Sequence, residues 1–246
     1  MALFAALIAT GSVVALADTY DGKRTNNLPA NGYNISFLSL IPDDDGVVSD
    51  YSPIFEYALN AWRGLASTNV DFGLREIPNP NGITPLDRTV STLAVDYYGG
   101  NGVLGLTSPF FKPPTGVAQP IPALVGNALN WSKTETILYH GTIKDTAKDW
   151  SETNPATFDR IAKHVAVHEI GHSLKLAHPP GGPLLENGGN YIGDGVEHRS
   201  VPSGQKSVMT WQITYHKGDP ADASNVPATP QPYDIPDLTN KWGRRQ

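Results

Sequence analysis

The feature that most constrains the fold is a group of three histidines within eleven residues: His168, His172 and His178. His168 and His172 are four residues apart, so on a helix both imidazoles leave the same face, one turn apart. His178 can join them only if the helix ends near Lys175 and the chain then folds back. The segment therefore predicts a helix that ends in a turn, with the three imidazole rings brought together.

This spacing is typical of a metal site. Two imidazoles one turn apart can both reach a zinc ion at about 2.0–2.1 Å, and a third would leave the fourth position for water, as in catalytic zinc sites. Glu169 follows His168, about 100° around the helix, where its carboxylate can accept a proton from a zinc-bound water. A histidine ladder can also be a solvated face or a buried polar group, but the third histidine disfavours that alternative.

The absence of cysteine narrows the chemistry further. It excludes disulfides, thiolate metal sites and a cysteine nucleophile. With 18 basic and 24 acidic residues the net charge is −6, and no Lys/Arg cluster is present, so nucleic acid is not an expected partner. A hydrophobic content of 39% is too high for a disordered chain, and the apolar residues are too interrupted for a polytopic membrane protein.

The first 17 residues are predicted to be a signal peptide. Residues 4–17 are largely apolar and end in Ala15-Leu16-Ala17, which places small residues where a signal peptidase reads. An N-terminal anchor or a buried helix is the alternative, but the run is short for a membrane span. Residues 18–33 are then a polar leader. We expect a secreted protein with no stable membrane association after signal removal.

The remainder of the chain is predicted to form two lobes of one α+β domain. Residues 34–178 form an N-terminal lobe that ends in the histidine segment, and residues 179–246 form a mostly irregular C-terminal lobe. One helix begins at Ser52-Pro53, with Ser52 as its N-cap, and buries a stripe that runs from Ile54 to Trp62. The active-site helix spans 157–175. The predicted strands are 34–40, 70–77, 89–97, 102–108 and 134–139.

The segment 168–178 resembles the zinc-binding signature of the metzincin metallopeptidases, HExxHxxGxxH. Ser207-Val208-Met209 resembles the Met-turn of that family, in which a methionine forms a hydrophobic floor beneath the zinc. Residues 234–243 resemble the closing helix of matrixins and serralysins. A further segment resembles the edge strand on which those enzymes align substrate: Gly102, Val103, Leu104, Gly105 and Leu106. The resemblance covers about residue 34 to the end.

The resemblance implies a metzincin-like α+β fold, with a twisted, mainly parallel sheet of about five strands, an active-site helix, a second helix, and an irregular C-terminal lobe closed by a short helix. It implies a zinc endopeptidase in which His168, His172 and His178 hold one catalytic Zn²⁺, Glu169 is the general base and Met209 is the Met-turn residue. The expected partner is a protein or peptide substrate, and we expect a monomer. Members of these families often hold structural Ca²⁺, for which Asp194 and Glu197 are candidates.

The sequence departs from the family pattern at two positions. Lys175 stands where the family usually has glycine in a left-handed conformation, at a cost of about 1–2 kcal/mol if that conformation is kept. Trp211 stands where serralysins carry a zinc-binding tyrosine, so we expect no tyrosine ligand. These departures leave the affiliation between matrixins and serralysins open.

Two further questions stay open on the sequence. Asp21 lies in the leader, where small bacterial relatives carry an aspartate that blocks the zinc, and a leader without this role is the alternative. The whole chain could also be an inactive, zinc-stabilised binding module, or a zinc hydrolase acting on a non-peptide amide. The complete set of three histidines and Glu169 favours an active endopeptidase. His164, one turn before His168, is predicted to support the site by packing and not to bind zinc.

Overall fold

The computed structural model describes residues 35–42, 48–63, 65, 91–97, 102–111, 119–120, 131–151, 154–174, 176, 178, 205–210, 213 and 223–236. Several predicted features lie outside the described residues. They are the signal peptide 1–17, the leader 18–33 with Asp21, the strand 70–77, Lys175, the calcium candidates Asp194 and Glu197, Trp211, and residues 237–243 of the closing helix.

Seven strands and three helices are described. In chain order they are β1 (Ile35–Leu38), β2 (Leu40–Pro42), β3 (Val48–Asp50), α1 (Ser52–Trp62), β4 (Ser91–Asp96), β5 (Gly105–Phe111), β6 (Gln119–Pro120), β7 (Trp131–Tyr139), α2 (His140–Trp150) and α3 (Pro155–Ser173). β2 and β3 pair as a small antiparallel sheet. The other five strands form one sheet in the order β1-β4-β7-β5-β6.

In the described part of the main sheet, β5 runs against the other four strands, which share one direction. β4 runs parallel to β1 and to β7, but β5 runs antiparallel to both β7 and β6. Only residues 97–104 separate β4 from β5. A parallel crossover needs about a dozen residues or more, so β5 returns in the opposite direction.

α1 begins one residue earlier than the sequence indicates. Its N-cap is Tyr51, so the predicted cap Ser52 is already the first helical residue and Pro53 is the second. The buried face includes Phe55 and Leu59 together with Trp62, and is therefore rotated relative to the predicted stripe. The rotation packs α1 against α3, where the Trp62 indole N–H donates to the Val167 carbonyl over 2.8 Å.

α3 is the central helix of the molecule. Asn154 caps it by accepting from the backbone N–H of Ala156 at 3.0 Å, and Pro155 occupies the first turn, where no backbone donor is needed. From Val165 to Ser173 every residue is buried, because the helix lies between the sheet, α1 and the C-terminal segment. A helix that is apolar on several faces is typical of such a position. No helix in the described part of the chain is both long and apolar enough to cross a membrane.

α2 follows β7 without a loop and was not predicted from the sequence. Its buried residues include Ile143, Ala147 and Trp150, which lie at i, i+4 and i+7. This spacing is the helical signal that could have revealed it. The polar residues between them make the helix hydrophilic on its outer face.

Candidate metal centre

The end of α3 brings the three histidines of the sequence motif together. His168 and His172 lie in the last two turns of the helix, which ends at Ser173. The backbone N–H of Leu176 donates back to the Gly171 carbonyl at 3.0 Å, so the chain reverses directly after the helix. This reversal places His178 opposite the two helical histidines.

The three imidazoles meet at one point. Their Nε2 atoms are 3.0 Å apart in each of the three pairs, and the residues are only 8%, 1% and 2% exposed for His168, His172 and His178, respectively. Three nitrogens in such a triangle can all lie about 2.0–2.1 Å from a common point about 1 Å out of their plane, which is the usual zinc–nitrogen distance. The cluster therefore has the size and burial of a metal site.

Hydrogen bonds on the far side of the rings fix where the protons lie. Nδ1 of His168 bonds to the Val208 carbonyl, and Nδ1 of His172 bonds to the Leu176 carbonyl, each over 2.8 Å. A carbonyl only accepts, so both Nδ1 atoms donate, and in the neutral rings both Nε2 atoms carry lone pairs. The far-side bonds thus orient both rings as metal ligands commonly are.

A cation between the rings resolves an electrostatic conflict. Two lone pairs that face each other across 3.0 Å repel, and burial strengthens this repulsion because the surroundings screen it less than water would. Protonation is disfavoured, because burial, together with the neighbouring His172, His178 and His164, lowers the pKa of His168 well below its ordinary value of 6.5. The three histidines could therefore hold a metal ion, and their neutral form is the one that binds it.

Met209 lies beneath the end of α3. It is buried against Gly171, where an added Cβ would overlap the Met209 sulfur and come within 3.0 Å of the Trp62 ring. The preceding residue is Val208, whose carbonyl receives the His168 bond. Met209 was predicted from the resemblance alone, and it lies in the turn whose Val208 carbonyl orients His168.

Asp234 holds this turn from the C-terminal side. Its carboxylate accepts from the Ser207 hydroxyl at 2.5 Å and from the Val208 backbone N–H at 3.0 Å, and also from the Gln231 backbone N–H at 2.7 Å. Asp234 and Ser207 are fully buried. Residues 234–236, the described part of the predicted closing helix, have helical backbone. Bonds to a charged acceptor are the strong kind, so this carboxylate fixes the turn.

Glu169 leaves α3 on the side that faces β5. It is buried, and its Oε2 atom accepts from the Thr107 hydroxyl at 2.8 Å. A Cβ added to Gly105 would lie 2.8 Å from Glu169 Cγ, which shows how closely the side chain rests on the strand. Thr107 was missed by the sequence analysis. The one available signal was that Gly105 and Thr107 are two residues apart on a strand and so share a face.

The predicted substrate strand 102–108 is shifted in the structure. β5 begins at Gly105, so of the five named residues Gly105 and Leu106 lie in the strand, whereas Gly102, Val103 and Leu104 precede it. Gly102 has φ 77°, a left-handed conformation that ends extended structure and that glycine adopts without strain. The strand also continues further than predicted, to Phe111.

His164 lies next to the cluster and outside it. Its Nδ1 donates to the Pro227 carbonyl at 2.7 Å, and its ring centroid is 6.0 Å from that of His168. One turn earlier on α3, Arg160 donates from Nε to the Val226 carbonyl at 2.7 Å. These two bonds fasten the same helix face to the segment 223–230.

Comparison with known proteins gives no relative from which a role could be transferred. No known protein family, curated protein or solved structure matches this chain. The assignment of a function therefore depends on the residues and geometry of this site.

Proposed function

We propose that the protein is a secreted, zinc-dependent endopeptidase of the metzincin type. The observation that carries the proposal is the convergence of three buried imidazoles, two from α3 and one from the chain that follows it, beside the buried carboxylate of Glu169. A set of three imidazoles without a thiolate is a donor set that suits catalytic zinc, in which the fourth coordination position belongs to water or substrate. The resemblance of the 168–178 segment to the metzincin signature supports the same assignment.

The surroundings of the site also support a peptide substrate. β5 lies against α3 beside Glu169, and among the described strands β6 pairs with β5 only at Phe110 and Phe111. An extended peptide can add to the remaining border of such a strand by main-chain hydrogen bonds. This would place a peptide bond beside the histidine cluster. The Met209 turn beneath His168 and the α+β arrangement are further features expected of a metzincin.

In the proposed mechanism the chain's own groups bind, orient and move a proton. A zinc ion bound by His168, His172 and His178 would supply Lewis-acid chemistry, polarising the peptide carbonyl and acidifying a water. The Val208 and Leu176 carbonyls keep two of the ligands in the required tautomer. The Glu169 carboxylate accepts a proton from the attacking water and passes it to the leaving amine.

The test combines metal content with cleavage. We expect one zinc per chain by mass spectrometry, and cleavage of denatured casein that a chelator abolishes. Glu169→Ala should keep the zinc and lose at least about 10²-fold in kcat, the contribution typical of a general base. Asp159→Ala is the matched control, because Asp159 is a carboxylate on the same helix that is paired with Lys163 at the surface, over 2.7 Å.

Three outcomes would contradict the proposal. Absence of zinc would show that the cluster is not a zinc site. Zinc without cleavage of any protein substrate would favour the inactive binding module or a non-peptide amide hydrolase. Full activity of Glu169→Ala would remove Glu169 from the proton transfer.

A further inference from the structure

We propose that Thr107 is a positioning residue for Glu169, and that its hydroxyl, backed by Thr136, holds the carboxylate in the place from which it acts. The inference rests on the proposed function for its catalytic meaning. Its geometric part concerns only three side chains from β5, β7 and α3, so it can be tested apart from activity.

The three groups form a compact, buried arrangement. Thr107 Oγ1 lies 2.8 Å from Glu169 Oε2, 2.9 Å from the Glu169 carbonyl oxygen and 2.9 Å from Thr136 Oγ1. Thr107 and Thr136 are directly opposite each other in the β5–β7 register. All three residues are buried. The positions of the two hydroxyls relative to the carboxylate are therefore set by the packing of β5, β7 and α3.

Proton counting gives the direction of the bonds. The Thr107 hydroxyl has one hydrogen, and the Glu169 carboxylate is a stronger acceptor than the Glu169 carbonyl or the Thr136 hydroxyl because it is charged. Thr107 thus donates to Glu169, with the Glu169 carbonyl as a secondary acceptor. The Thr136 hydroxyl can then donate to Thr107. A chain of hydroxyls that ends on a carboxylate polarises each member in turn and strengthens the last bond.

The strand also provides the space for this arrangement. Gly105 lies on the same face of β5 as Thr107, and a Cβ there would be 2.8 Å from Glu169 Cγ and 2.9 Å from Val165 Cγ1. Glycine lets the methylenes of Glu169 rest on the strand backbone, and Thr107 then receives the carboxylate at their end. A glutamate side chain is otherwise free in several torsions, so two contacts from one strand remove much of that freedom.

The kinetic test uses Thr107→Val, which keeps the branched shape and removes the hydroxyl. We expect kcat to fall about 10- to 100-fold, with KM changed less than about twofold and one zinc per chain retained, because substrate and metal contacts persist while the base loses its position. Thr107→Ser restores the hydroxyl and should recover kcat to within about threefold. Thr134→Val is the matched control, since Thr134 is a buried threonine of β7 whose hydroxyl lies 3.5 Å from the Ser91 hydroxyl, so the substitution likewise removes a buried hydroxyl.

The second test needs no cleavage. Thr107→Val should lower the melting temperature of the zinc-loaded protein by at least about 3 °C more in the wild-type background than in Glu169→Ala, because only the former contains the charged acceptor. Additive melting temperatures would overturn the inference, as would unchanged kcat in Thr107→Val or failure of Thr107→Ser to restore it. Coupled melting temperatures in a protein without peptidase activity would uphold the positioning contact and refute the proposed function.

Discussion

Replacing Gly171 by alanine should destabilise the protein, although alanine is the better helix former. Gly171 lies in the last turn of α3, directly before His172 in sequence, and its Cα faces the turn that contains Met209. In an open helix, glycine to alanine would stabilise by about 1 kcal/mol. Here the added Cβ would overlap the Met209 sulfur, lie 3.1 Å from its methyl carbon and reach 3.0 Å from the Trp62 ring.

The packing cost should exceed the helical gain. Overpacking a well-filled core costs about 1–3 kcal/mol, and contacts with two buried side chains place this site in the upper half of that range. Trp62 cannot move aside readily, because it is fully buried and its indole N–H is bonded to Val167. Met209 must therefore shift. The net loss is about 1–2 kcal/mol, or about 2–8 °C in melting temperature for a chain of this size.

The displacement should also reach the metal site. Met209 follows Val208, whose carbonyl orients His168, and loss of such a supporting bond typically costs about 10- to 100-fold in metal affinity. The assay is thermal denaturation together with zinc competition against a chromophoric chelator. In a Met209→Ala background the overlap disappears, so Gly171→Ala should be nearly neutral there. An equal loss in both backgrounds, or a rise in melting temperature on the wild-type background, would refute the reasoning.

Three further changes test the surroundings of the histidine cluster. Asp234→Asn should lower stability by about 2–4 kcal/mol in chemical denaturation and weaken zinc binding, because a buried charged acceptor that fixes the Val208 turn is lost; unaltered zinc affinity would contradict this coupling. His164→Gln should retain one zinc per chain by mass spectrometry, since His164 is bonded away from the cluster to Pro227; loss of the metal would make it a ligand. In the metal-free protein, burial keeps the pKa of His168 well below 6.5, so between that lowered pKa and 6.5 the unfolded chain binds more protons than the folded one. His168 should therefore lower stability as the pH drops below about 6.5, contributing at most about 1.4 kcal/mol per pH unit, and His168→Gln should remove this contribution from the slope measured in urea titrations.

The parts of the structure that sequence could predict are those with local signals. Asn154-Pro155 marks the start of α3 by its cap and its first-turn proline, and the helix lies two residues earlier at each end than the predicted range 157–175. The spacing of His168 and His172 encodes their common face, because helical geometry relates residues four apart. Ser52-Pro53 likewise locates α1 to within one residue. Each of these signals involves residues that are neighbours along the chain.

The parts that sequence reasoning missed depend on contacts between distant segments. The contact between Thr107 and Glu169 spans 62 positions, and nothing in either local sequence refers to the other. α2 was missed for a different reason, since its polar residues hide a stripe of only a few apolar positions. The start of β5 was also misplaced, because the strand was predicted from residue 102, whereas it begins at Gly105. Sequence patterns thus located the three clustered histidines better than the groups that orient them.

The placement of His178 and the orientation of His168 depend on contacts of different range along the chain. The turn after α3 brings His178 to the helical histidines through bonds between near neighbours in sequence, such as that from Leu176 to Gly171. The tautomer of His168, however, is set by Val208, 40 positions away, and the Val208 turn is in turn fixed by Asp234. A chain that has formed only α3 and its turn would therefore hold the right nitrogens without a fixed lone pair on His168. Because a bound metal favours the state in which that lone pair is fixed, metal binding and docking of the C-terminal segment must stabilise each other by the same free energy.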